Sequence, residues 1–199
     1  DIIATDIIPN REYNAVAVGP GLGTSEATIK ALEDFLKRTD KPVILDADAL
    51  NCIAMRPALL NCIPADSILT PHAGEFDNIF GKHNTDESRL QKAIDKAKRY
   101  GIIIALKGHY TAIVRRDGKI YFNSSGNAAI ATAGSGDVLT GLMAGFMAQG
   151  YAPEIASLIA IYVHGVAGEL ASEEHGINGV VAGDIAKYVG KAIKMILSV

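Results

Sequence analysis

The chain has 199 residues, of which 49% are hydrophobic and 21% are charged, and its net charge is −3. These values exclude wholesale disorder and suit one domain with a substantial core. Without a basic block or a long uninterrupted apolar stretch, we expect neither a nucleic-acid partner nor a membrane helix. The two cysteines, Cys52 and Cys62, form neither a disulfide framework nor a CxxC pair, so we expect reduced thiols and a cytoplasmic protein.

The first half of the chain alternates between short apolar runs and helical patterns. Buried strands are predicted by the apolar runs at 14–18, 42–45, 67–70 and 102–106. One helix is predicted over 25–36, with Ser25 in its N-cap region. A second, charged helix is predicted over 86–100, and Gly101 is its stop signal.

The second half has a different pattern. Residues 111–114 and 119–122 flank the turn sequence Arg116-Asp117-Gly118, which predicts a β-hairpin. A loop rich in small residues follows, from 123 to 134. Apolar patterns then predict three helices, over about 135–149, 153–172 and 181–197. Strands that alternate with helices predict an α/β fold whose mainly parallel sheet has helices on both faces and an antiparallel hairpin at one edge.

Glycine and polar residues follow each of the four predicted strands. They are Gly19-Pro-Gly-Leu-Gly23, Asp46-Ala-Asp48, Thr70-Pro-His72 and Lys107-Gly108. In sheets of this kind, ligands bind beyond the carboxyl ends of the strands. The sequence therefore predicts a binding site at this edge of the sheet.

The glycine-rich turn and the acidic pair each have two interpretations. Glycines at 19–23 allow backbone N–H groups to approach a phosphate, but they equally suit a tight strand-to-helix turn, and Thr24 breaks the dinucleotide fingerprint. Asp46 and Asp48, with Asn51 one turn later, are candidates for holding Mg²⁺ near phosphates. In the alternative, Asp48 caps a helix and Asp46 is an ordinary hydrogen-bonding residue at a strand end.

Two further strand ends are also ambiguous. His72 and Glu75 suit contact with phosphate or substrate, or else capping of the following helix. Lys107 and Thr111 suit contact with a nucleotide, or else ordinary polarity at the end of a strand. The remaining histidines of interest, His83, His164 and His175, have no partner that the sequence reveals, and we interpret them as surface or core residues.

The stretch Ala133-Gly-Ser-Gly-Asp137 is the most informative. Gly134 and Gly136 open a long apolar helix, so successive N–H groups can form an anion hole. Asp137 lies in the first turn, where a carboxylate can deprotonate a hydroxyl that attacks a phosphoryl group. The alternative is an acid that merely suits the helix dipole. The P-loop pattern GxxxxGK[ST] is absent from the sequence.

Several of these strings together resemble one family. Gly126-Asn-Ala-Ala-Ile-Ala-Thr-Ala-Gly-Ser-Gly-Asp-Val-Leu-Thr-Gly141 resembles the signature of the ATP/ADP-dependent NAD(P)H-hydrate dehydratases, within the ribokinase-like superfamily. The resemblance extends in order to the strings Gly19–Gly23, Asp46–Asn51, Leu69–Glu75, Lys107-Gly108 with Thr111, and His164-Gly-Val-Ala-Gly168. Each string is weak alone, whereas their joint occurrence through nearly the whole chain is specific.

The resemblance implies a single ribokinase-like domain over 1–199, a three-layer sandwich around the sheet. It implies repair of NADH and NADPH hydrated at nicotinamide C6, with ATP or ADP as co-substrate and Mg²⁺ accompanying the phosphates without an assigned protein ligand. It further implies that Asp137 is the catalytic base. The other implied residues are the anion hole (Gly134, Ser135, Gly136), the nucleotide contacts (Lys107, Gly108, His109, Tyr110, Thr111 and Gly136), the contacts to the hydrated dinucleotide (Gly23, His72, Asp137) and the residues near phosphate or Mg²⁺ (Asp46, Asp48, Asn51, Glu75).

Family members also carry a preceding glycine-rich strand-helix segment that this sequence lacks. Because residue 1 is Asp rather than Met, we expect the sequence to be part of a longer protein. We expect either that segment or a homo-oligomer, for which the resemblance suggests a tetramer, to cover a sheet edge. Two rival functions stay open: a small-molecule kinase of the same superfamily, and a non-catalytic nucleotide-binding domain.

Overall fold

The computed structural model describes residues 13–198, which form six strands in one sheet. The strands are β1 (Ala17–Val18), β2 (Ile44–Leu45), β3 (Ile68–Leu69), β4 (Ile103–Leu106), β5 (Ala112–Val114) and β6 (Ile120–Phe122). Each strand pairs with the next one in the chain, so the spatial order is the sequence order. Neighbouring strands from β1 to β4 pair in parallel, whereas β5 pairs antiparallel with both β4 and β6. The predicted parallel sheet with a hairpin edge is confirmed.

Seven α-helices cover the two faces of this sheet. They are α1 (Glu26–Arg38), α2 (Asp48–Met55), α3 (Ala73–Phe80), α4 (Asp86–Tyr100), α5 (Ser135–Ala148), α6 (Pro153–His175) and α7 (Ala182–Leu197). Side chains alternate along the strands, so Ile44 and Ile68 pack with α5–α7 while Leu45 and Leu69 pack with α1–α4. The sheet therefore separates two apolar cores, and the molecule has three layers.

The predicted helix ends agree with the structure where capping signals are strong. The Ser25 side chain accepts a hydrogen bond from the Thr28 N–H at the start of α1. Gly101 adopts the left-handed conformation, with φ +67°, and ends α4. The predicted strands are shorter in the structure than their apolar runs, although their positions are correct.

Several elements differ from the sequence-based predictions. The short helices α2 and α3 were implied only by the capping alternatives, and 3-10 turns occur at Pro57–Cys62, Ala128–Ile130 and Ile177–Gly179. Helix α6 is long and apolar enough, by length and composition alone, to cross a membrane. Its apolar window is 61% buried within the protein. The packing of α6 against α5, α7 and the sheet accounts for this composition.

Candidate functional site

Asp46 is the centre of a polar cluster at the carboxyl ends of the strands. It follows β2 directly and is buried. Its Oδ1 accepts a hydrogen bond from Lys107 Nζ at 2.9 Å, and its Oδ2 accepts one from Thr140 Oγ1 at 2.8 Å. Lys107 lies at the end of β4, and Thr140 lies on α5. One carboxylate thus connects two strand ends with the helix that packs above them.

His72 and Glu75 lie between the end of β3 and the first turn of α3. The backbones of His72 and Lys107 form a parallel bridge, and Glu75 Oε2 lies 3.9 Å from Lys107 Nζ. The His72 Nδ1 accepts hydrogen bonds from the N–H groups of Gly74 and Glu75, while Glu75 Oε2 accepts one from the His72 N–H. The capping alternative for this pair is therefore correct. The imidazole remains 61% exposed, so capping leaves one of its faces accessible to a ligand.

The first turn of α5 presents backbone donors beside this cluster. Gly134 adopts a left-handed conformation, with φ +81°, which only glycine takes readily, and begins the helix. The Ser135 N–H donates to the Thr132 carbonyl, but those of Gly136 and Asp137 have no acceptor within residues 13–198. A Cβ atom on Gly136 would lie 3.7 Å from Lys107 Nζ. Two unsatisfied donors, a helix N-terminus and an ammonium group together favour an anion.

Asp137 is exposed at the third position of α5. Within the described part of the chain its carboxylate forms no hydrogen bond or ion pair. By contrast, Asp184 occupies the same helical position in α7, and there its carboxylate accepts from the Val181 N–H and from Lys187 Nζ. Those contacts lower the pKa of Asp184, with the Lys187 hydrogen bond as the largest cause. Asp137 therefore differs from Asp184, because its carboxylate has no hydrogen-bond or ion-pair partner within residues 13–198.

Asp48 holds the glycine-rich turn in place. Its Oδ2 accepts a hydrogen bond from the Gly23 N–H at 2.8 Å, and its Oδ1 accepts one from Asn51 Nδ2 at 3.2 Å. The N-cap of α2 is Ala47 without a side-chain bond, so the alternative in which Asp48 caps the helix is wrong. Ala47 has φ +48°, an unusual value for a residue with a side chain. The backbone turn at Ala47 separates the two carboxylates, so Asp46 contacts Lys107 and Thr140 while Asp48 contacts Gly23 and Asn51.

The turn at 19–23 lies directly against Asp46. A Cβ atom on Gly19 would lie 1.7 Å from the Asp46 carbonyl oxygen, so only glycine fits. The Gly23 carbonyl accepts a hydrogen bond from Cys52 Sγ at 3.7 Å, and burial raises the pKa of that thiol. The N–H of Gly23 is already used by Asp48.

The segment 107–111 forms the bend between β4 and β5. Gly108, His109 and Tyr110 are exposed, and the rings of His109 and Tyr110 stack edge to face with centroids 4.5 Å apart. The Thr111 carbonyl accepts from the Asn123 N–H, which ties the bend to the loop that leads to α5. Within this segment, Lys107 is the residue whose side chain lies near the α5 N-terminus.

Helix α6 contacts the first turn of α5 through His164, a contact that our sequence reasoning missed. His164 is buried, and its Nε2 lies 3.1 Å from both Oγ and the carbonyl oxygen of Ser135. Burial lowers the pKa of His164, the Ser135 hydrogen bond opposes this change, and the charge of Lys107 adds to it. One turn later, Glu169 Oε1 accepts from the Gly126 N–H at 2.6 Å. The only sequence signal for these contacts was the string at 164–168.

No three His, Cys, Asp or Glu side chains among the described residues are grouped as a metal site. Both oxygens of Asp46 and both oxygens of Asp48 already accept hydrogen bonds. Since Mg²⁺ commonly keeps several waters and binds substrate phosphates, these residues do not fit a dedicated protein cage for it.

A family model described as NAD(P)H-hydrate dehydratase (Carb_kinase) matches residues 4–191. The chain belongs to this family. The matched range includes the strand-end cluster, the glycine-rich turn and the first turn of α5.

Named relatives show how the chain compares in length. It is 39% identical over 192 residues to the ADP-dependent (S)-NAD(P)H-hydrate dehydratase of Neisseria meningitidis, covering 92% of this chain and 64% of that protein. It is 36% identical over 193 residues to the Bacillus subtilis protein of the same name, and the match covers 96% of this chain and 68% of that protein. The bifunctional NAD(P)H-hydrate repair enzyme Nnr of Moorella thermoacetica is 38% identical over 180 residues, covering 89% and 34%. The chain thus spans between about a third and two thirds of the length of these relatives.

Solved structures confirm the ribokinase-like fold. The crystal structure of the ADP/ATP-dependent NAD(P)H-hydrate dehydratase from Bacillus subtilis, co-crystallised with ATP and Mg²⁺, superposes with a TM-score of 0.83. The two chains are 35% identical, and the match covers 96% of this chain and 68% of that one. Thermotoga maritima ribokinase matches with a TM-score of 0.56 at 18% identity, over 83% of this chain and 53% of its own, which supports the fold alone.

Proposed function

We propose that the protein restores NADH and NADPH from their C6-hydrated forms, using ATP or ADP as phosphoryl donor. The observation that carries this proposal is the first turn of α5, where the Asp137 carboxylate, free of partners within residues 13–198, adjoins the free N–H groups of Gly136 and Asp137, and where the Gly136 position lies next to the Lys107 ammonium. Such an arrangement suits a hydroxyl that attacks a phosphoryl group. Membership of the dehydratase family supports a hydroxyl on the hydrated nicotinamide as the acceptor.

In the proposed reaction, Asp137 takes the proton of the C6 hydroxyl as its oxygen attacks the terminal phosphorus of the nucleotide. The bond between that phosphorus and the nucleotide oxygen breaks, which releases ADP from ATP, or AMP from ADP. Negative charge on the transferred group is stabilised by the N–H donors at the α5 N-terminus and by Lys107. The ring nitrogen then expels the phosphate from C6, and loss of a proton from C5 completes the reduced nicotinamide.

The other proposed site residues surround this centre. Lys107 to Thr111 would contact the nucleotide, and the exposed Tyr110 offers an aromatic surface to a base. The Gly23 turn and the accessible face of His72 would contact the hydrated dinucleotide. We propose that Mg²⁺ enters with the phosphates of the nucleotide, because the Asp46 and Asp48 carboxylates are already engaged. No step proposed for the protein's side chains depends on that ion.

The test is spectrophotometric. Purified hydrated NADH is mixed with the protein and Mg²⁺, with and without ATP or ADP, and the absorbance of reduced nicotinamide is followed. Recovery that requires nucleotide supports the proposal and identifies the donor. Intact nucleotide binding without recovery would contradict it and favour the kinase alternative, which a screen of hydroxymethyl acceptors for a stable phosphorylated product would then test. Nucleotide binding with neither recovery of NADH nor a phosphorylated acceptor would favour the non-catalytic alternative.

The expected domain organisation, homo-oligomeric state and cytoplasmic location stay predictions.

A further inference from the structure

Asp46 has a role that its sequence position alone did not reveal. Its carboxylate is buried, with a relative exposure of 2% for the residue, and both oxygens are used. A buried carboxylate is stable only when paired and hydrogen-bonded, and here an ammonium group and a hydroxyl supply both conditions. With its two oxygens occupied, Asp46 is poorly placed to ligate a metal or to accept a proton from substrate.

The partner on Oδ1 connects Asp46 with the anion hole. Lys107 carries three N–H donors on a flexible side chain, and one of them is used by Asp46 at 2.9 Å. The ammonium lies next to the Gly136 position, 3.7 Å from where a Cβ would be, so its remaining donors are close to the α5 N-terminus. Glu75 lies 3.9 Å away on the other side. The Asp46 contact therefore restricts where this flexible cation can point.

The partner on Oδ2 connects Asp46 with the helix that carries the proposed base. Thr140 lies one helical turn after Gly136, and residues at this spacing share a helix face. A Cβ atom on Gly136 would lie 3.7 Å from the same Asp46 Oδ2 that accepts the Thr140 hydroxyl at 2.8 Å. Asp46 thus holds α5 in place on the side of the helix that faces the strand ends. The first turn of that helix carries the free N–H groups and Asp137.

We propose that Asp46 is a positioning residue for phosphoryl transfer: it sets Lys107 and, through Thr140, the first turn of α5 around the same transferred group. This inference rests on the proposed function, since it assumes that the transferred phosphoryl group binds between Lys107 and α5. Neither Asp46 nor Thr140 contacts the reacting atoms in this scheme. Their effect passes through Lys107 and the helix.

A mutant cycle tests this role. Asp46→Asn keeps the size of the side chain but removes the charge opposite the ammonium. Its expected effect is a decrease in kcat of about 100-fold, because small misplacement in a transfer site is costly, with little change in KM for the hydrated dinucleotide. In a Lys107→Met background, the same Asp46 substitution should decrease kcat by less than about threefold further. The reason is that each substitution removes the same interaction, the contact between the Lys107 ammonium and Asp46 Oδ1.

Matched variants separate positioning from general stability. Ser67→Ala removes a buried hydroxyl at the opposite end of β3, where it accepts a hydrogen bond from the Val43 N–H, and should lower the melting temperature but not kcat. Thr140→Val should decrease kcat severalfold, and Thr140→Ser, which keeps the hydroxyl, should restore it. If Asp46→Asn fails to fold, Thr140→Val and Thr140→Ser test the role instead, and a kcat that is unchanged in Thr140→Val would overturn the inference.

Two results would overturn the inference: additive effects of the Asp46 and Lys107 substitutions, or unchanged kcat in Asp46→Asn with only a lower melting temperature. Failure of the proposed function is distinguishable, because it would remove turnover from the wild-type protein itself. In that event the cycle is measured by calorimetric binding of MgATP. Asp46→Asn should then weaken binding when Lys107 is present and not in the Lys107→Met background, and equal weakening in both would contradict the role.

Discussion

Asp137 and Asp184 occupy equivalent positions in two helices but have different surroundings. The carboxylate of Asp184 is engaged by a backbone N–H and a lysine, whereas that of Asp137 has no partner within residues 13–198. A first-turn acid without a structural contact is consistent with a chemical role. The two residues therefore form a matched pair for mutagenesis.

We expect Asp137→Asn to bind nucleotide normally and to lose turnover by at least about 100-fold, since general bases typically contribute at least this factor. The measurement is nucleotide-dependent recovery of NADH, together with calorimetric binding of MgATP. Asp184→Asn is the control: it should lower the melting temperature and keep kcat. A wild-type rate in Asp137→Asn would remove this residue from the mechanism.

His164 contributes a pH dependence to stability. Its pKa is lowered in the folded protein because it is buried, so the unfolded chain binds a proton more readily than the folded one. The stability associated with neutral His164 is complete above the unfolded pKa of about 6.5 and is lost as the pH falls below it. His164→Gln keeps an N–H donor for Ser135 and does not titrate.

We therefore expect the melting temperature of His164→Gln to fall less between pH 7.5 and pH 5.5 than that of the wild-type protein, as measured by scanning calorimetry. Carboxylates contribute equally to both proteins, so the difference isolates the imidazole. Parallel profiles for His164→Gln and wild type would show that His164 protonation is not linked to folding.

At the scale of elements, α6 and the loop before α5 are packed too closely for side chains at two positions. A Cβ atom on Gly165 would lie 2.2 Å from Ser125 Oγ and 2.8 Å from the Gly126 nitrogen, and one on Gly168 would lie 2.1 Å from Ile130 Cγ2. Because Gly165 and Gly168 have no side chains, the loop that leads to the α5 N-terminus can lie directly on α6.

Gly165→Ala should destabilise the protein by about 1–3 kcal/mol, because the clash with backbone exceeds the gain in helix propensity. Gly190→Ala in α7 is the control, since nothing lies within 4 Å of the new methyl group, and it should stabilise by about 0.5–1 kcal/mol. Chemical denaturation measures both. Stabilisation by Gly165→Ala would contradict the close packing.

Elements with strong local signals were predictable, whereas contacts between distant elements were not. The predicted helix over 86–100 has the bounds of α4, because Thr85 and Gly101 are strong boundary residues. The eight-residue helices α2 and α3 lack a long apolar period, and α3 is capped by a histidine, an unusual cap. Likewise, the sequence placed Asp46 and Lys107 at one sheet edge, but Thr140 lies 94 residues from Asp46 and gave no signal of its own.

At the scale of the whole molecule, the proposed site lies where both core layers meet the sheet. Asp46 and Lys107 are at strand ends, and the first turn of α5 belongs to the layer on one face. A ligand bound there contacts groups that only the complete fold brings together. Binding should therefore stabilise the domain as a unit.

MgATP at about 100 times its Kd should stabilise the fold by about 2.7 kcal/mol, which corresponds to a rise in melting temperature of roughly 5–10 °C. We expect one calorimetric transition in both states. Asp137→Asn should show the same rise, because it is expected to bind nucleotide, while Lys107→Met should show a smaller one. Two separate transitions, with only one of them shifted, would contradict cooperative stabilisation.

The identity between strand order and sequence order bears on how the chain is synthesised. Each strand can pair with its predecessor as the ribosome releases it, so the sheet can grow from β1 to β6 in step with translation. The helices that cover the face formed by Ile44, Ile68 and Ile103 are all encoded after residue 134. That face therefore stays open until residues 135–197 have been synthesised, and Asp46 cannot meet Thr140 before then. The nascent chain must keep an apolar surface from aggregating before it can acquire any activity.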